Sequence, residues 1–290
     1  MIDKLAGFFA PWLAYIIILA LHVVLPARAV NGYVRNSETG NLLKYRLNGP
    51  LVLLAAVALW ALAGGLKILP LDWLYEHRWS GLAGACTLGL LFSFAIVLPN
   101  KSSGHSFLAD LYLGRLENPQ FFRARVDAKM FLYLAGATLL LLNLLSFTAH
   151  HIITYGTNAS PGVILYCGLF AWFVVDYLVF EQVHLYTYDI FAERVGFKLG
   201  WGCLTFYPYF YAVGLWTTAA LPDPHTPSWL LVAFTVVFFT GWILSRGANM
   251  QKFYFKTEPE RAFLGILKPR FLSDGKNKIL ISGFWGGNYI

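Results

Sequence analysis

Long apolar runs separated by short polar segments dominate this chain of 290 residues. Seven stretches, at about 8–25, 50–69, 79–99, 130–149, 161–180, 198–220 and 228–245, each approach the roughly 20 apolar residues a helix needs to cross a bilayer. Lipid offers no partner for an exposed peptide group, so a spanning segment must be a helix or part of a closed barrel, and no run alternates as a barrel strand does. The pattern predicts an all-α fold, a polytopic membrane helical bundle of about seven transmembrane helices in a single membrane domain over 1–290. After the last apolar run the chain turns polar and basic, and this tail occupies 246–290.

Composition agrees with that class: 58% of residues are hydrophobic and only 13% charged, and the mean hydropathy is +0.57. Charge adds an orientation. The segments on one side of the predicted spans hold Arg28, Arg35, Lys44 and Arg46, then Lys101, Arg115, Arg123, Arg125 and Lys129, then Arg194 and Lys198, and finally the eight cations of the tail. The other side holds Lys4, Lys67 and Arg78. The positive-inside rule then places the N-terminus outside and the tail in the cytosol, in a multi-pass integral membrane protein. The net charge of +7 thus gathers on one face, which suits membrane lipid and anionic cytosolic ligands, and no nucleic-acid module accompanies it. The first span lacks the features of a cleaved signal and is read as a retained helix. Cys86, Cys167 and Cys203 fall inside spans, which argues against a disulfide framework.

The outward connections are short, whereas those at 26–49 and 100–129 are long and polar and have enough residues to build a site. In the first of these, Asn31-Gly32 and the turn-forming stretch around Gly40 suggest either a small hairpin under the membrane or a plain solvent turn.

Ionisable groups at membrane depth are costly and point to function by default. Asp176 and Glu181 are the catalytic candidates. Helical spacing would put Tyr177, Glu181 and His184 on one face with Asp176 nearby, either as the polar end of a cavity or as hydrogen bonds that lock the bundle. The aromatics Trp201, Phe206, Tyr207, Tyr209, Phe210, Tyr211 and Trp216 of the sixth span either line a pocket for a flat lipid or serve packing and interfacial anchoring. His150-His151 reads as a wetted interfacial pair, and no metal is expected, because neither it nor His184 with Glu181 and Asp189 has ligand spacing. In the tail, Asn249, Lys252 and Lys256 recur at steps of three and four, so a continuing helix would carry them as a stripe with Arg246 a turn earlier. Such a stripe can grip a nucleotide phosphate or anchor to anionic lipid, and charge alone favours the anchor. No dinucleotide-binding or P-loop pattern occurs.

Several ordered motifs from about Leu25 onward resemble the membrane sterol reductase family, which includes Δ14-sterol reductase, 7-dehydrocholesterol reductase, Δ24(28)-sterol reductase and the reductase-like part of lamin B receptor. They are Tyr45-Arg46-Leu47-Asn48-Gly49; Gly104, Asp110, Gly114, Asn118 and Pro119; Asp127-Ala128-Lys129; Asp176, Glu181, Asp189-Ile190 and Gly196-Phe197; Arg246-Gly247-Ala248-Asn249-Met250-Gln251-Lys252; and Ser282-Gly283-Phe284-Trp285-Gly286. The resemblance implies NADPH-dependent reduction of a sterol ring double bond, most similar to the Δ14-sterol reductases. Lys252 and Lys256 would meet the phosphates of NADPH, Asn249, Gln251 and Trp285 would line the nucleotide pocket, and Asn288-Tyr289 would begin a further cofactor-binding segment. Asp176 and Glu181 would border the sterol cavity. The implied membrane is the endoplasmic reticulum in a eukaryote and the cytoplasmic membrane in a bacterium.

Departures from the pattern carry their own expectations. Gln120 and Lys256 stand where the family commonly has Arg, and Gly287 meets Asn288 without the usual Arg-His between. The family bundle continues past the point matching Ile290, so the expectation is a truncated bundle and an incomplete cofactor site. The alternative to a reductase is accordingly a catalytically incomplete sterol-binding or scaffolding paralogue or fragment. A transporter or receptor reading rests on helix number alone, without inverted repeats.

Overall fold

The computed structural model describes residues 2–36, 39–266 and 268–270. In chain order, α1 (Ile2–Val24) leads into an antiparallel hairpin of β1 (Arg28–Arg35) and β2 (Leu42–Leu47). Next come α2 (Gly49–Gly65), the short α3 (Trp73–Glu76), α4 (Arg78–Val97) and α5 (Phe107–Leu113). A second small antiparallel pair, β3 (Gln120–Phe121) and β4 (Val126–Asp127), precedes α6 (Ala128–Tyr155) and α7 (Pro161–Val179). Then follow α8 (Glu181–His184), α9 (Tyr188–Phe191), α10 (Phe197–Trp201), a π-helical stretch over Gly202–Phe210, α11 (Val213–Thr218) and α12 (Ser228–Thr257).

The fold is an all-α polytopic membrane protein, but the described residues do not give seven full spans. Five helices are long and apolar enough to cross a membrane: those at Asp3–Val24, Arg78–Val97, Ala128–Asn158, Pro161–Val179 and Ser228–Thr257. The expected second span is the 17-residue α2, and the expected sixth is a composite of α10, the π-helix and α11. Pro208, which cannot donate a backbone hydrogen bond, lies inside the wide-turned stretch, and the Asn143 side chain donates to its carbonyl at 2.9 Å.

At the centre lies α6, whose apolar window is 78% buried, whereas that of α12 is 0% buried. Around α6 pack α1, α2, α3, α7, α10, the π-helical stretch and α11, while α12 packs mainly on α7 and α8. Its exposed Val232, Val237 and Ile243 are the apolar exterior expected of a lipid-facing helix. Where α1 crosses α4 the backbones meet at Gly84: a Cβ there would lie 1.8 Å from the Phe8 carbonyl oxygen, so only glycine fits.

The loop-rich end of the bundle is tied by the sequence motifs themselves. The His22 ring meets Asn48 Oδ1 at 2.6 Å through Nδ1, and Asn48 Nδ2 donates to the His22 carbonyl at 3.1 Å, joining the end of α1 to the start of α2. Pro50 sits in the first turn of α2, where its missing N–H costs nothing. The turn of the hairpin falls near Gly40, where Asn36 Oδ1 accepts from the Thr39 N–H. Asn31-Gly32 is not the turn; it lies in β1 where the register shifts, and Gly32 leaves room for the buried Tyr45 ring, which a Cβ would meet at 2.4 Å. In the 100–129 loop, Asp110 gathers Ser102, Ser103 and Arg115, and Arg115 donates to the carbonyls of Val97 and Asn100. Gly114 (φ +95°) then passes directly against the Val195 backbone.

Candidate functional site

Among the described residues, a cavity of about 990 Å³ opens between α12 and the segment running from α7 to α9. One face of α12 lines it from end to end: Phe238, Trp242, Ser245, Arg246, Asn249, Lys252 and Lys256 recur every three or four residues. At 1.5 Å per residue this stripe is about 27 Å long. It grades from aromatic at Phe238 and Trp242, through a charged middle, to two cations at the far end. Opposite stand Phe173, Asp176 and Tyr177 of α7, His184 of α8, the 186–191 segment, and Tyr133 of α6.

The charged middle is an ion pair. Arg246 Nε lies 3.1–3.2 Å from both carboxylate oxygens of Asp176, and Nη2 makes a further bond to Oδ2. Both side chains are about nine-tenths buried, and the guanidinium also lies 4.4 Å from the Phe180 ring centre. Nη1 of Arg246 and Nε1 of Trp242, one helical turn apart, are buried without a hydrogen-bond partner among the described residues. Buried donors of this kind need an acceptor.

At the cationic end Lys256 is already positioned by the protein. Its Nζ lies 4.3 Å from the Phe191 ring centre and 4.5 Å from that of Tyr33 in the hairpin, and it donates to the Tyr186 carbonyl at 3.3 Å. Lys252 stands a turn before it on the same face.

The opposite wall owes its shape to a break in the chain. The helix of α7 ends at Val179, so Glu181 does not follow Tyr177 on one continuous helix: it reaches Gly49, whereas Tyr177 and His184 line the cavity. The rings of Tyr177 and His184 stack at 4.0 Å, and His184 Nε2 donates to the Tyr177 carbonyl at 3.2 Å. Burial, then the nearby Arg246 charge, push the His184 imidazole down to about 4, so it is neutral at physiological pH with Nδ1 as its acceptor. Glu181 lies outside the cavity lining: its carboxylate accepts the Gly49 N–H at 3.1–3.2 Å, at the start of α2. A Cβ on residue 49 would sit 2.7 Å from Glu181 Oε2 and would push that carboxylate aside. Burial raises the Glu181 carboxyl to about 7, opposed by the Gly49 N–H and Arg28.

Beneath the wall, Asp127 caps α6 by accepting from the Lys129 and Met130 N–H groups at 3.1 Å, while the buried Lys129 ammonium donates to the carbonyls of Asp189, Ile190 and Glu193. The Tyr133 hydroxyl donates to Asp189 Oδ2 at 2.9 Å. The Asp127-Ala128-Lys129 motif thus fixes the segment that carries the cavity floor.

Of the residues singled out from sequence, Asp176, Asn249, Lys252 and Lys256 meet in this cavity, Gln251 is buried outside its lining, and Trp285, Asn288 and Tyr289 lie outside the described residues. None of the seven sixth-span aromatics lines it. Tyr207 and Tyr209 are buried in the bundle and Phe206, Phe210 and Tyr211 are exposed on its apolar exterior, which is the packing and anchoring role. Trp242 and Phe238 were missed, although extending the Asn249 periodicity backward along α12 points to both. His151 is not wetted but fully buried, donating from Nδ1 to the Ala219 carbonyl and accepting the Ser160 N–H on Nε2.

Several known proteins are similar to this chain over nearly its full length. A Delta(14)-sterol reductase of Arabidopsis thaliana is 29% identical, the match covering 99% of this chain and 80% of that protein. The Delta(14)-sterol reductase of Methylotuvimicrobium alcaliphilum is also 29% identical, over 97% of this chain and 66% of the relative. The Delta(14)-sterol reductase LBR of Gallus gallus is 27% identical, over 98% of this chain and 45% of its own length. The model of the ergosterol biosynthesis ERG4/ERG24 family matches residues 4–289, and the chain belongs to that family.

Proposed function

We propose that the cavity takes NADPH together with a sterol, and that the protein reduces a sterol ring C=C bond, the Δ14 bond of its named relatives. The observation that carries this is the graded face of α12, cationic at one end, hydrogen-bonding in the middle and aromatic at the other, all lining one cavity. Its length of about 27 Å is on the scale of an extended dinucleotide with part of a flat apolar substrate beyond it.

The residues present fit such a cofactor. Lys252 and Lys256 offer point charges to phosphates, Asn249 offers a neutral amide one turn deeper, and the orphaned donors of Arg246 and Trp242 require acceptors deeper still. When bound, the nicotinamide supplies hydride to one alkene carbon. The protein's part is orientation and a proton for the other carbon. Asp176 is committed to Arg246 and sets its direction. Hydroxyl-bearing side chains of the lining are Tyr133, which donates to Asp189, Thr187, which donates to the His184 carbonyl, Tyr186, Tyr188, Ser245, and Tyr177, held by its stack on His184. Of these, Tyr177 stands beside the Asp176–Arg246 pair where the charged and aromatic parts of the cavity meet, and it is the proposed proton donor in place of Asp176 and Glu181. The cationic end would face the cytosol, in the endoplasmic reticulum of a eukaryote or the cytoplasmic membrane of a bacterium.

Membranes from a sterol-free host expressing the chain, given a Δ14-unsaturated sterol and NADPH, test the proposal by mass spectrometry of the sterol. The expected product is two hydrogens heavier, with matching NADPH oxidation. Sterol binding without NADPH oxidation would instead support the sterol-binding or scaffolding alternative.

A further inference from the structure

Far from the cavity, three potential metal ligands converge on one point. Asp72 precedes α3, Glu76 ends it, and His150 lies near the far end of α6. His150 is 21 residues beyond Lys129 on the same helix, about 32 Å from the cavity floor. His150 Nδ1 lies 3.2 Å from Asp72 Oδ2 and 3.1 Å from Glu76 Oε1, and the three ligand atoms all fall within 4.8 Å of one another. The imidazole is held in that direction by stacking on Tyr75 at 3.9 Å and 22°.

As protein alone the arrangement is unbalanced. One imidazole nitrogen carries at most one hydrogen, yet two carboxylate oxygens face it. Asp72 and Glu76 are four residues apart, a spacing at which like charges on a helical turn repel. Among the described residues no Lys or Arg forms an ion pair with either. The neighbouring Arg78 is engaged elsewhere, donating to the Tyr75 carbonyl with its guanidinium 3.9 Å from the Tyr75 ring centre.

A divalent cation resolves both conflicts. Zinc takes imidazole nitrogen and carboxylate oxygen at about 2.0–2.2 Å in tetrahedral geometry, which separates adjacent ligand atoms by about 3.3–3.5 Å. The two His150 distances are already within a few tenths of an ångström of that. One imidazole and two carboxylates leave the fourth position for water, and Asp72 and His150 at 18% side-chain exposure leave a path for the ion.

We propose that Asp72, Glu76 and His150 form a site for a divalent transition-metal ion, zinc by ligand type, which clamps the 66–77 segment onto α6. Sequence spacing could not show it, because the histidine lies more than seventy residues from the carboxylates.

The test is zinc titration of the purified, detergent-solubilised chain, with cobalt as the spectroscopic stand-in. The expected result is one saturable zinc ion per chain, tetrahedral cobalt absorption, and a rise in thermal midpoint on adding zinc. Glu76→Gln, at a side chain 54% exposed and so tolerant of change, should weaken binding at least about tenfold, and His150→Asn should abolish the thermal shift. Absence of saturable zinc binding, or binding left unchanged by Glu76→Gln, overturns the proposal.

Discussion

Arg246 of α12 and Asp176 of α7 form a buried pair in which one guanidinium holds the carboxylate through both Nε and Nη2, while its Nη1 has no partner among the described residues. The pair is among the links that dock an otherwise exposed α12 against the bundle, and it divides the cationic part of the cavity from the aromatic part. Breaking one side leaves an uncompensated buried charge, which typically costs about 3–5 kcal/mol. Asp176→Asn and Arg246→Gln should each lower stability by that order. The double variant should cost clearly less than the two added together, and a double-mutant cycle on thermal or denaturant unfolding in detergent checks this.

Tyr177 carries the proton in the proposed reduction. If its hydroxyl delivers the proton, Tyr177→Phe should lower the sterol turnover number by about 10²-fold or more while leaving NADPH affinity unchanged, since the ring and its stack on His184 remain. Steady-state kinetics alongside a cofactor titration separate the two effects. A turnover within a few-fold of wild type would remove Tyr177 from the chemistry.

Glu181 gives the fold a pH dependence. Its carboxyl is raised from 4.5 to about 7 in the folded state, so folding favours the protonated form. The associated stabilisation is full below about pH 4.5 and is lost as pH rises through 7, by at most roughly 3 kcal/mol. Glu181→Gln keeps an acceptor for the Gly49 N–H and should flatten the decline between pH 5 and pH 8 in thermal melts. The depressed His184 works in the opposite sense: its contribution is present above about pH 6.5 and is lost as pH falls toward 4.

Gly84→Ala tests the packing of the bundle at a single atom. The new methyl would fall 1.8 Å from the Phe8 carbonyl oxygen, part of the backbone and unable to rotate away. The helices α1 and α4 must separate, and the expected cost is about 3 kcal/mol or more, or failure to accumulate in the membrane. A melt indistinguishable from wild type would contradict the close crossing.

The membrane class and the stripe along α12 were legible in the sequence because both are periodic signals carried by neighbouring residues. Asn249, Lys252 and Lys256 needed only the helix to continue, which it does to Thr257. The composite sixth segment was not legible, because a π-helical stretch around Pro208 is as apolar as a plain span. Nor was the separation of Glu181 from His184, since the break at Phe180 has no proline or glycine to announce it. Within the motifs of the long loops, Asn48, Asp110 and Lys129 spend their polar atoms on backbone and loop contacts, and those of Lys129 hold the segment that lines the cavity. The partners of Asn48 and Lys129 lie 26 and 61 residues away, where pattern reading has no reach.

NADPH titration of the purified chain beside Lys252→Glu tests whether the α12 stripe is a nucleotide-phosphate site. The expected result is saturable binding by the wild-type chain, weakened at least about tenfold by reversing that one charge. Equal binding by the two proteins, or no saturable binding by either, would contradict it.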